Sequence, residues 1–331
     1  MQEQNNNKHL NDFDDGIDVG ELFRVLILGK WIILSVTTII FIIGFTYSLL
    51  LPNIYESKAL LVPVSSSNGI SGSLKNYGGL AGLAGISLPS PDDNSNSVKA
   101  KNKLISLSFF QNNILKNIYL PDLMAVKSWN FKTKKLVYDE SIYDKNSDVW
   151  VRNYYYPQKQ IPSSQESFEK FITEHLSLSE DNKTGFLTLS IKHQSPFIAK
   201  QWTELVFNEI NTLYKEKDKS ESEIAVDYLN KQISITVLSE IKQVLAELLQ
   251  EEIQKLTLIE ARQFYVFDYI DPPEIMEKES EPNRVLICIL SALLGLVLSV
   301  VIALLKHYGF KEKLEYTSLE LIKTAKYILD N

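Results

Sequence analysis

Two long runs without any charged side chain lie near the two ends of this 331-residue chain. They extend from Trp31 to Leu51 and from Val285 to Leu305, and each contains 21 residues. As an α-helix, each run would be about 31 Å long, which matches the hydrocarbon thickness of a bilayer. The pattern predicts two transmembrane helices and excludes a simple soluble enzyme.

The first run is predicted to be an uncleaved anchor that starts in the cytoplasm. It follows an acidic segment, it is longer than the apolar part of a signal peptide, and no small-x-small cleavage site follows it. Seven basic residues lie close to the outer ends of the two runs, against three close to their inner ends. Because basic residues concentrate on the cytoplasmic side, both termini are expected in the cytoplasm.

The boundaries of the two apolar runs divide the chain into five predicted parts. They are a cytoplasmic N-terminus (1–30), a first transmembrane helix (31–51), an external domain (52–284), a second transmembrane helix (285–305) and a cytoplasmic tail (306–331). Within the external domain, we expect a base from residues 52–196 and 264–284 and an extended helical arm from residues 197–263.

Composition argues against nucleic-acid binding and against sites that depend on cysteine. The net charge is -7, from 34 basic and 41 acidic residues, and no Lys/Arg-rich stripe is present, so nucleic-acid binding is not expected. The single cysteine, Cys288, lies inside the second apolar run. An intrachain disulfide and a cysteine-based metal site are therefore both excluded.

The external domain alternates between strand and helix patterns, which predicts an α+β fold. Strand-like segments at 55–64, 184–193 and 263–270 are expected to pair into one sheet. Shorter patterns predict a strand at Lys135–Tyr138, a helix at Val98–Ile118, and a helix at Ser163–Leu176 that begins with a capping box.

The 75 residues between Pro196 and Pro272 contain neither glycine nor proline, and their apolar residues recur at helical spacing. This predicts one long helix, straight or broken once, of roughly 70 to 90 Å. The alternative is a pair of antiparallel helices with a polar turn near residues 215–221.

Two glycine-containing segments are candidate contact sites. Gly79, Gly82 and Gly85 lie in an apolar run without the Lys-Ser/Thr of a phosphate loop, so we expect a packed turn or a contact between subunits. The second apolar run carries small residues at a spacing of four, including Gly295, which permits close helix packing. The alternative is that small residues are simply common in membrane spans.

No catalytic constellation is recognisable in the sequence. The four histidines, His9, His175, His193 and His307, do not form a metal-binding pattern, and a lone histidine such as His193 is more often structural. The sequence contains neither a nucleophile elbow nor a phosphate-binding loop. We therefore expect a protein without catalytic, metal or cofactor sites that is not an enzyme.

Several short motifs follow one another in a fixed order along the chain. They are Asp18–Phe23 and Trp31–Ile33 around the start of the first run, Leu51–Tyr55 after it, Gly79–Ile86, Ser195–Ala199, Asn208–Asn211 and Tyr228–Asn230. A proline-containing element extends from Asp271–Pro273 to Pro282–Arg284 and is followed by Ser291–Gly295. In this order and spacing, the motifs resemble the chain-length determinant (Wzz) family of polysaccharide co-polymerases.

The resemblance implies a Gram-negative inner-membrane protein that forms a ring of identical subunits. It also implies control of the length of a lipid-linked polysaccharide, usually O antigen, that a separate membrane polymerase builds. The membrane-proximal element would consist of Pro272, Pro273, Pro282 and Gly295. The chain departs from the family pattern at three positions, where it has Met276, Asn283 and Ser291.

Two other functions fit a chain with two spans. A capsule or exopolysaccharide export adaptor would share this plan and differ in its partners. A membrane sensor is the second alternative, and the short tail, without a recognisable helical linker or signalling domain, argues against it.

Overall fold

A computed structural model describes residues 26–64 and 96–329 of the chain, with side-chain environments up to residue 306. The chain divides into two compact units. The first comprises Met1–Leu51 and Pro282–Asn331, and the second comprises Pro52–Glu281. Gly79, Gly82 and Gly85, the predicted contact loop, lie outside the described residues.

The first unit contains two long helices, α1 (Lys30–Leu50) and α8 (Arg284–Leu329). Residues Lys30–Leu50 and Arg284–Lys306 are long and apolar enough to cross a membrane. Helix α1 ends because Pro52 forces Leu51 into an extended conformation. Helix α8 begins at an N-cap, since the Asn283 side chain accepts a hydrogen bond from the Leu286 N–H at 3.1 Å. The departure from the family pattern at position 283 therefore has a local structural role.

The second unit is built on a four-stranded antiparallel sheet with the order β6-β7-β1-β8. Its strands are β6 (Leu176–Glu180), β7 (Leu187–His193), β1 (Tyr55–Pro63) and β8 (Phe267–Asp271). The three predicted strands are confirmed as neighbours, with Tyr55 opposite His193 and Leu61 opposite both Leu187 and Tyr269. Strand β7 starts later than predicted because Gly185, at a φ of 71°, belongs to the turn that follows β6.

The remaining elements lie between β1 and the first long helix of this unit. They are α2 (Asn96–Leu104), α3 (Leu107–Phe109), α4 (Leu120–Met124), the hairpins β2 (Val126–Asn130) with β3 (Lys135–Tyr138) and β4 (Tyr143–Asp144) with β5 (Val149–Trp150), α5 (Ser164–Lys170), and π-helical turns at Phe110–Ile114 and Phe171–His175.

Two helix predictions in this region have different outcomes. The continuous helix predicted for Val98–Ile118 is wrong, because Ser106 ends α2 and caps a new turn, accepting a hydrogen bond from the Phe109 N–H. The predicted start at Ser163 is confirmed, since its hydroxyl accepts a hydrogen bond from the Glu166 N–H at 3.2 Å.

Helix α6 (Pro196–Ile235) supplies much of the core of the second unit. Its residues Ala199, Trp202, Val206 and Ile210 recur every three or four positions and are all buried, which is the pattern of a helix packed by one face. Phe207 is also buried, and its ring stacks on Tyr269 of β8 at 3.7 Å between centroids. Truncating such a side chain costs about 3 to 5 kcal/mol.

The glycine-free region forms a helical hairpin rather than one long helix. Helix α6 ends at Ile235, residues 236–238 are extended, and α7 (Ser239–Ala261) returns along α6. The ion pair of Lys219 with Glu260 joins the two helices. The antiparallel alternative is therefore correct in kind, but its turn lies about 20 residues later than expected.

The location of this turn follows from local interactions. The charged run near residue 218 stays helical because Lys217 and Lys219 pair with Glu221 and Glu223 at a spacing of four. The break falls instead beside Ile235, Thr236 and Val237, three consecutive β-branched residues that disfavour helix. At about 1.5 Å per residue, the 40 residues of α6 span about 60 Å.

Candidate functional site

The two apolar helices of the first unit pack closely through small residues. A side chain on Gly44 of α1 would overlap the side chain of Ser291 on α8. A Cβ atom on Gly295 would lie 3.2 Å from the Cα atom of Thr37 and 3.2 Å from the Cβ atom of Ile40. Both positions therefore allow the helix backbones to approach, which is the arrangement typical of small residues in membrane helices.

A hydrogen bond between side chains joins the same two helices. The Thr37 hydroxyl donates to the Ser299 hydroxyl at 3.2 Å, and the Ser299 hydroxyl donates to the Leu296 carbonyl at 2.8 Å. Ser299 is buried within the pair. Since hydroxyl groups gain from finding partners in an apolar medium, this contact adds to the packing at Gly295.

Pro272 and Pro273 lie directly after β8, where Pro272 is exposed and Pro273 is buried. The segment that follows them runs back along the start of β1. Ser57 donates to the Glu274 carbonyl at 2.9 Å, and Ile54 exchanges backbone hydrogen bonds with Ser280 and Glu281. The prolines remove two N–H donors and restrict the backbone where β8 ends.

The four residues of the predicted proline and glycine element are divided between the two units. Pro272 and Pro273 lie in the second unit, whereas Pro282 and Gly295 lie in the first. Pro282 immediately precedes Asn283, the residue that caps α8.

The helical hairpin is fastened to the sheet by polar side chains of α6. The Asn211 side-chain oxygen accepts hydrogen bonds from three successive backbone N–H groups, those of Tyr265, Val266 and Phe267, at 3.0, 2.7 and 3.1 Å. Asp218 accepts from the Asn96 amide at 2.8 Å and from the Tyr265 hydroxyl at 2.5 Å. These two side chains therefore fix the point where the chain returns from α7 to β8.

A buried histidine pair lies beneath one end of the sheet. His175 and His193 have ring centroids 5.6 Å apart, and both rings pack on Trp202. The Nδ1 atom of His175 lies 2.7 Å from the Lys192 carbonyl, so it carries the proton. His193 has the other tautomer, because its Nδ1 accepts from the Ser195 N–H and its Nε2 donates to the Asp122 carbonyl.

Burial holds both histidines neutral. It lowers the pKa of His175 from 6.5 to about 4, against the opposing effect of the Lys192 and Leu123 backbone groups. It lowers the pKa of His193 to about 3, with a further contribution from His175. The expectation of a structural role fits the geometry of His193, whose two ring nitrogens are both hydrogen-bonded to backbone groups.

A second polar cluster joins tyrosines to carboxylates near the two small hairpins. Tyr138 donates to Asp122 at 2.5 Å, and Tyr143, which is buried, donates to Asp148. Burial raises the pKa of Asp122, while the Tyr143 hydroxyl lowers the pKa of Asp148. The first bond holds the β2–β3 hairpin against α4, and the second lies within the β4–β5 hairpin. Among the described residues, no group of three His, Cys, Asp or Glu side chains is placed to hold a metal ion.

These features define a class of protein in which two apolar helices, paired through small residues, bracket a mixed α+β unit with a helical hairpin. Residues 15–117, about a third of the chain, match the family described as Wzz, chain length determinant protein. The match confirms the resemblance inferred from the motifs. No curated protein matches the chain significantly.

Two solved structures are similar to the chain at low sequence identity. A full-length bacterial polysaccharide co-polymerase is 12% identical with a TM-score of 0.39, covering 89% of this chain and 99% of its own. A fragment of WzzB, a polysaccharide co-polymerase from Salmonella Typhimurium, is 13% identical with a TM-score of 0.27, covering 69% of this chain and 100% of its own. At these TM-scores the two likenesses add nothing to the assignment.

Proposed function

We propose that this chain is a non-enzymatic regulator of polysaccharide chain length. In this proposal it is an inner-membrane co-polymerase that acts on a lipid-linked polysaccharide, of the O-antigen type of lipopolysaccharide, together with a separate polymerase. The observation that carries the proposal is the family match over residues 15–117, which includes α1, β1 and α2. The second apolar helix and the helical hairpin, outside the matched segment, support the same architecture.

The proposed topology has both termini in the cytoplasm and the second unit in the periplasm. It is supported by the excess of basic residues near the outer ends of the two apolar helices. The five-part division of the chain, with a base and an arm in the periplasmic domain, belongs to the same proposal.

The proposed assembly is a homo-oligomeric ring in which the helical hairpins of neighbouring subunits touch. It is supported by large apolar side chains that remain exposed on the hairpin of the single chain. These are Ile224, Tyr228, Ile235, Val237, Leu238, Ile241, Val244, Leu248, Ile253 and Leu258. Exposed apolar surface of this extent is typical of a protein interface.

The polymerase contact is proposed for the membrane-spanning pair near Gly295, and subunit contacts are proposed for the loop with Gly79, Gly82 and Gly85. Gly295 packs on Thr37 and Ile40 within one chain, so a bulky residue there would alter the surface that the pair presents to a partner. Pro272, Pro273 and Pro282 would contribute stiffness to the connection between the periplasmic domain and the second span.

The direct test is deletion of the gene, with the lipopolysaccharide separated on a gel. We expect the modal cluster of band lengths to disappear and to return when the wild-type chain is supplied from a plasmid. An unchanged ladder, with loss of surface capsule or exopolysaccharide, would instead favour the export adaptor.

The structure also bears on the sensor alternative. Helix α8 continues as a helix beyond the predicted span to Leu329, so the argument against a sensor from a missing helical linker no longer holds. Co-purification of a signalling kinase with the full chain would favour that function.

A further inference from the structure

A cavity of about 400 Å³ opens at the end of the sheet where β6 begins and β7 ends. Its wall includes Ile54, His175, Ser177, Lys192, Gln194 and Glu281. We propose that this cavity binds a sugar residue of the polysaccharide, an inference that rests on the function proposed above. Its volume falls within the range of pockets that hold small organic ligands.

Two buried hydrogen-bond acceptors in this wall have no donor among the described residues. Because His175 carries its proton on Nδ1, its Nε2 atom is an acceptor, and that atom is buried without a partner within residues 26–64 and 96–306. The side-chain oxygen of Gln194 is likewise buried without a partner in the same ranges. A buried acceptor without a donor costs about 1 to 3 kcal/mol, so a ligand whose O–H groups reach these two atoms would bind favourably.

The charges around the cavity favour a neutral ligand. Lys192 and Glu281 form an ion pair at 2.6 Å, and Glu174, a second carboxylate on the wall, pairs with Lys170 at 3.8 Å. Neither an anionic group nor a lone cation would find an uncompensated partner of opposite sign there. A sugar ring, which offers several hydroxyl donors and acceptors without a net charge, matches this arrangement.

The cavity lies beside the β-bridge that joins the two ends of the second unit. Ile54 and Glu281 form an isolated β-bridge just inside the two ends of this unit, and both residues lie on the cavity wall. His175 also contacts Trp202 of α6, the helix that continues into the hairpin. A sugar bound here would therefore contact Ile54, which follows the first apolar helix in the chain, and His175, which packs on α6.

The test measures binding of a defined probe to the full chain in detergent. The probe is a fraction of one to three repeat units, released by mild acid from the lipopolysaccharide of the producing strain. Isothermal titration calorimetry compares the wild type with Gln194→Leu, which removes one acceptor and keeps a similar side-chain volume. The matched control is Gln201→Leu, at an exposed position of α6 that is absent from the cavity wall.

We expect Gln194→Leu to weaken binding roughly 3- to 10-fold, as for the loss of one neutral hydrogen bond, and Gln201→Leu to leave it unchanged. Selective ¹⁵N labelling of histidine gives a second readout. The unprotonated Nε2 signal of His175 should move to lower frequency when the probe binds, whereas the His193 signals should not move.

Absence of probe binding, or equal binding by the wild type and Gln194→Leu with an unmoved His175 signal, would overturn the cavity proposal. These results are separable from a failure of the proposed function. If the deletion strain loses its modal cluster while the cavity does not bind the probe, chain-length control stands and the cavity site falls. If the ladder is unchanged while the His175 signal responds, the sugar site stands without that function.

Discussion

The side-chain oxygen of Asn211 accepts a hydrogen bond from the backbone N–H of Val266 at 2.7 Å. The same oxygen also accepts hydrogen bonds from the two flanking N–H groups. One side chain of α6 therefore provides the acceptor for three successive backbone donors. The Asn211 amide donates in turn to the Phe207 carbonyl at 3.1 Å, which fixes its orientation. The hairpin and the sheet are therefore coupled through one buried amide.

Asn211→Leu should lower the free energy of unfolding by about 3 kcal/mol or more, because buried donors lose their acceptor at about 1 to 3 kcal/mol each. Urea unfolding of the full chain in detergent measures this loss, and hydrogen exchange should accelerate at residues 265–267. The control is Asn208→Leu, three positions away at an exposed site. Equal stability of the two variants would contradict the assigned role of Asn211.

A size exchange between Gly44 and Ser291 tests the packing of the apolar helices. Gly44→Ser should separate the pair and lower thermal stability in detergent, because the added side chain would overlap Ser291. Adding Ser291→Gly in the same chain should restore most of the loss, since the total volume at the crossing is then unchanged. Failure of the double variant to recover would show that this contact does not hold the pair together.

The histidine pair predicts a pH dependence of stability. Both groups have folded-state pKa values below the ordinary 6.5, at about 4 for His175 and about 3 for His193. The unfolded chain therefore binds more protons below pH 6.5, and the free energy of unfolding should fall as the pH falls from about 6.5 toward 4. The slope should reach about 1.4 kcal/mol per pH unit for each histidine.

Unfolding measured between pH 7 and pH 5 tests this slope. The carboxyl of Glu166, whose pKa Arg152 holds below its usual 4.5, contributes stability that is lost only at still lower pH. His175→Phe keeps an aromatic ring beside Trp202 and should reduce the slope by about half. His9→Gln, outside the described residues, is the control and should retain the slope. A flat profile for the wild type would count against buried, neutral histidines.

The exposed apolar side chains of the helical hairpin are the expected contact between subunits of the proposed ring. Leu248→Glu places a charge on the exposed apolar face of α7 and should reduce the mass of the assembly measured by light scattering. Circular dichroism should stay unchanged, because Leu248 is 45% exposed in the single chain. Gln250→Glu, an exposed position on the same helix, should leave the mass unchanged. A full-sized assembly of Leu248→Glu would move the subunit contact elsewhere.

The sequence predicts a helix or strand well where the signal lies within the element itself. The apolar runs identify both long helices, the β-type segments identify three adjacent strands, and Ser163 identifies a helix start. Strand β6 escaped prediction because its residues, Leu176–Glu180, follow a helix without any turn signal. The hairpin turn at residues 236–238 was misplaced because it contains no glycine or proline, and β-branched residues are a weaker signal.

The candidate sites were less predictable because they combine distant parts of the chain. The small residues of the second apolar run indicated close packing, but nothing local identifies Gly44 as the partner of Ser291. Asn211 lies in a motif of the family resemblance, although its contact with Val266 depends on how the chain returns from α7. The cavity brings together residues 54, 175, 194 and 281, and no spacing in the sequence connects them.

The most direct test of the central claim separates the amount of polymer from its length. Cells with and without the gene are given a labelled sugar precursor, and the repeat units per chain are counted by mass spectrometry while total polymer is measured. A chain-length regulator predicts similar total polymer in both strains, with a modal length only where this chain is present. Loss of total polymer together with length, or an unchanged length distribution, would contradict the account.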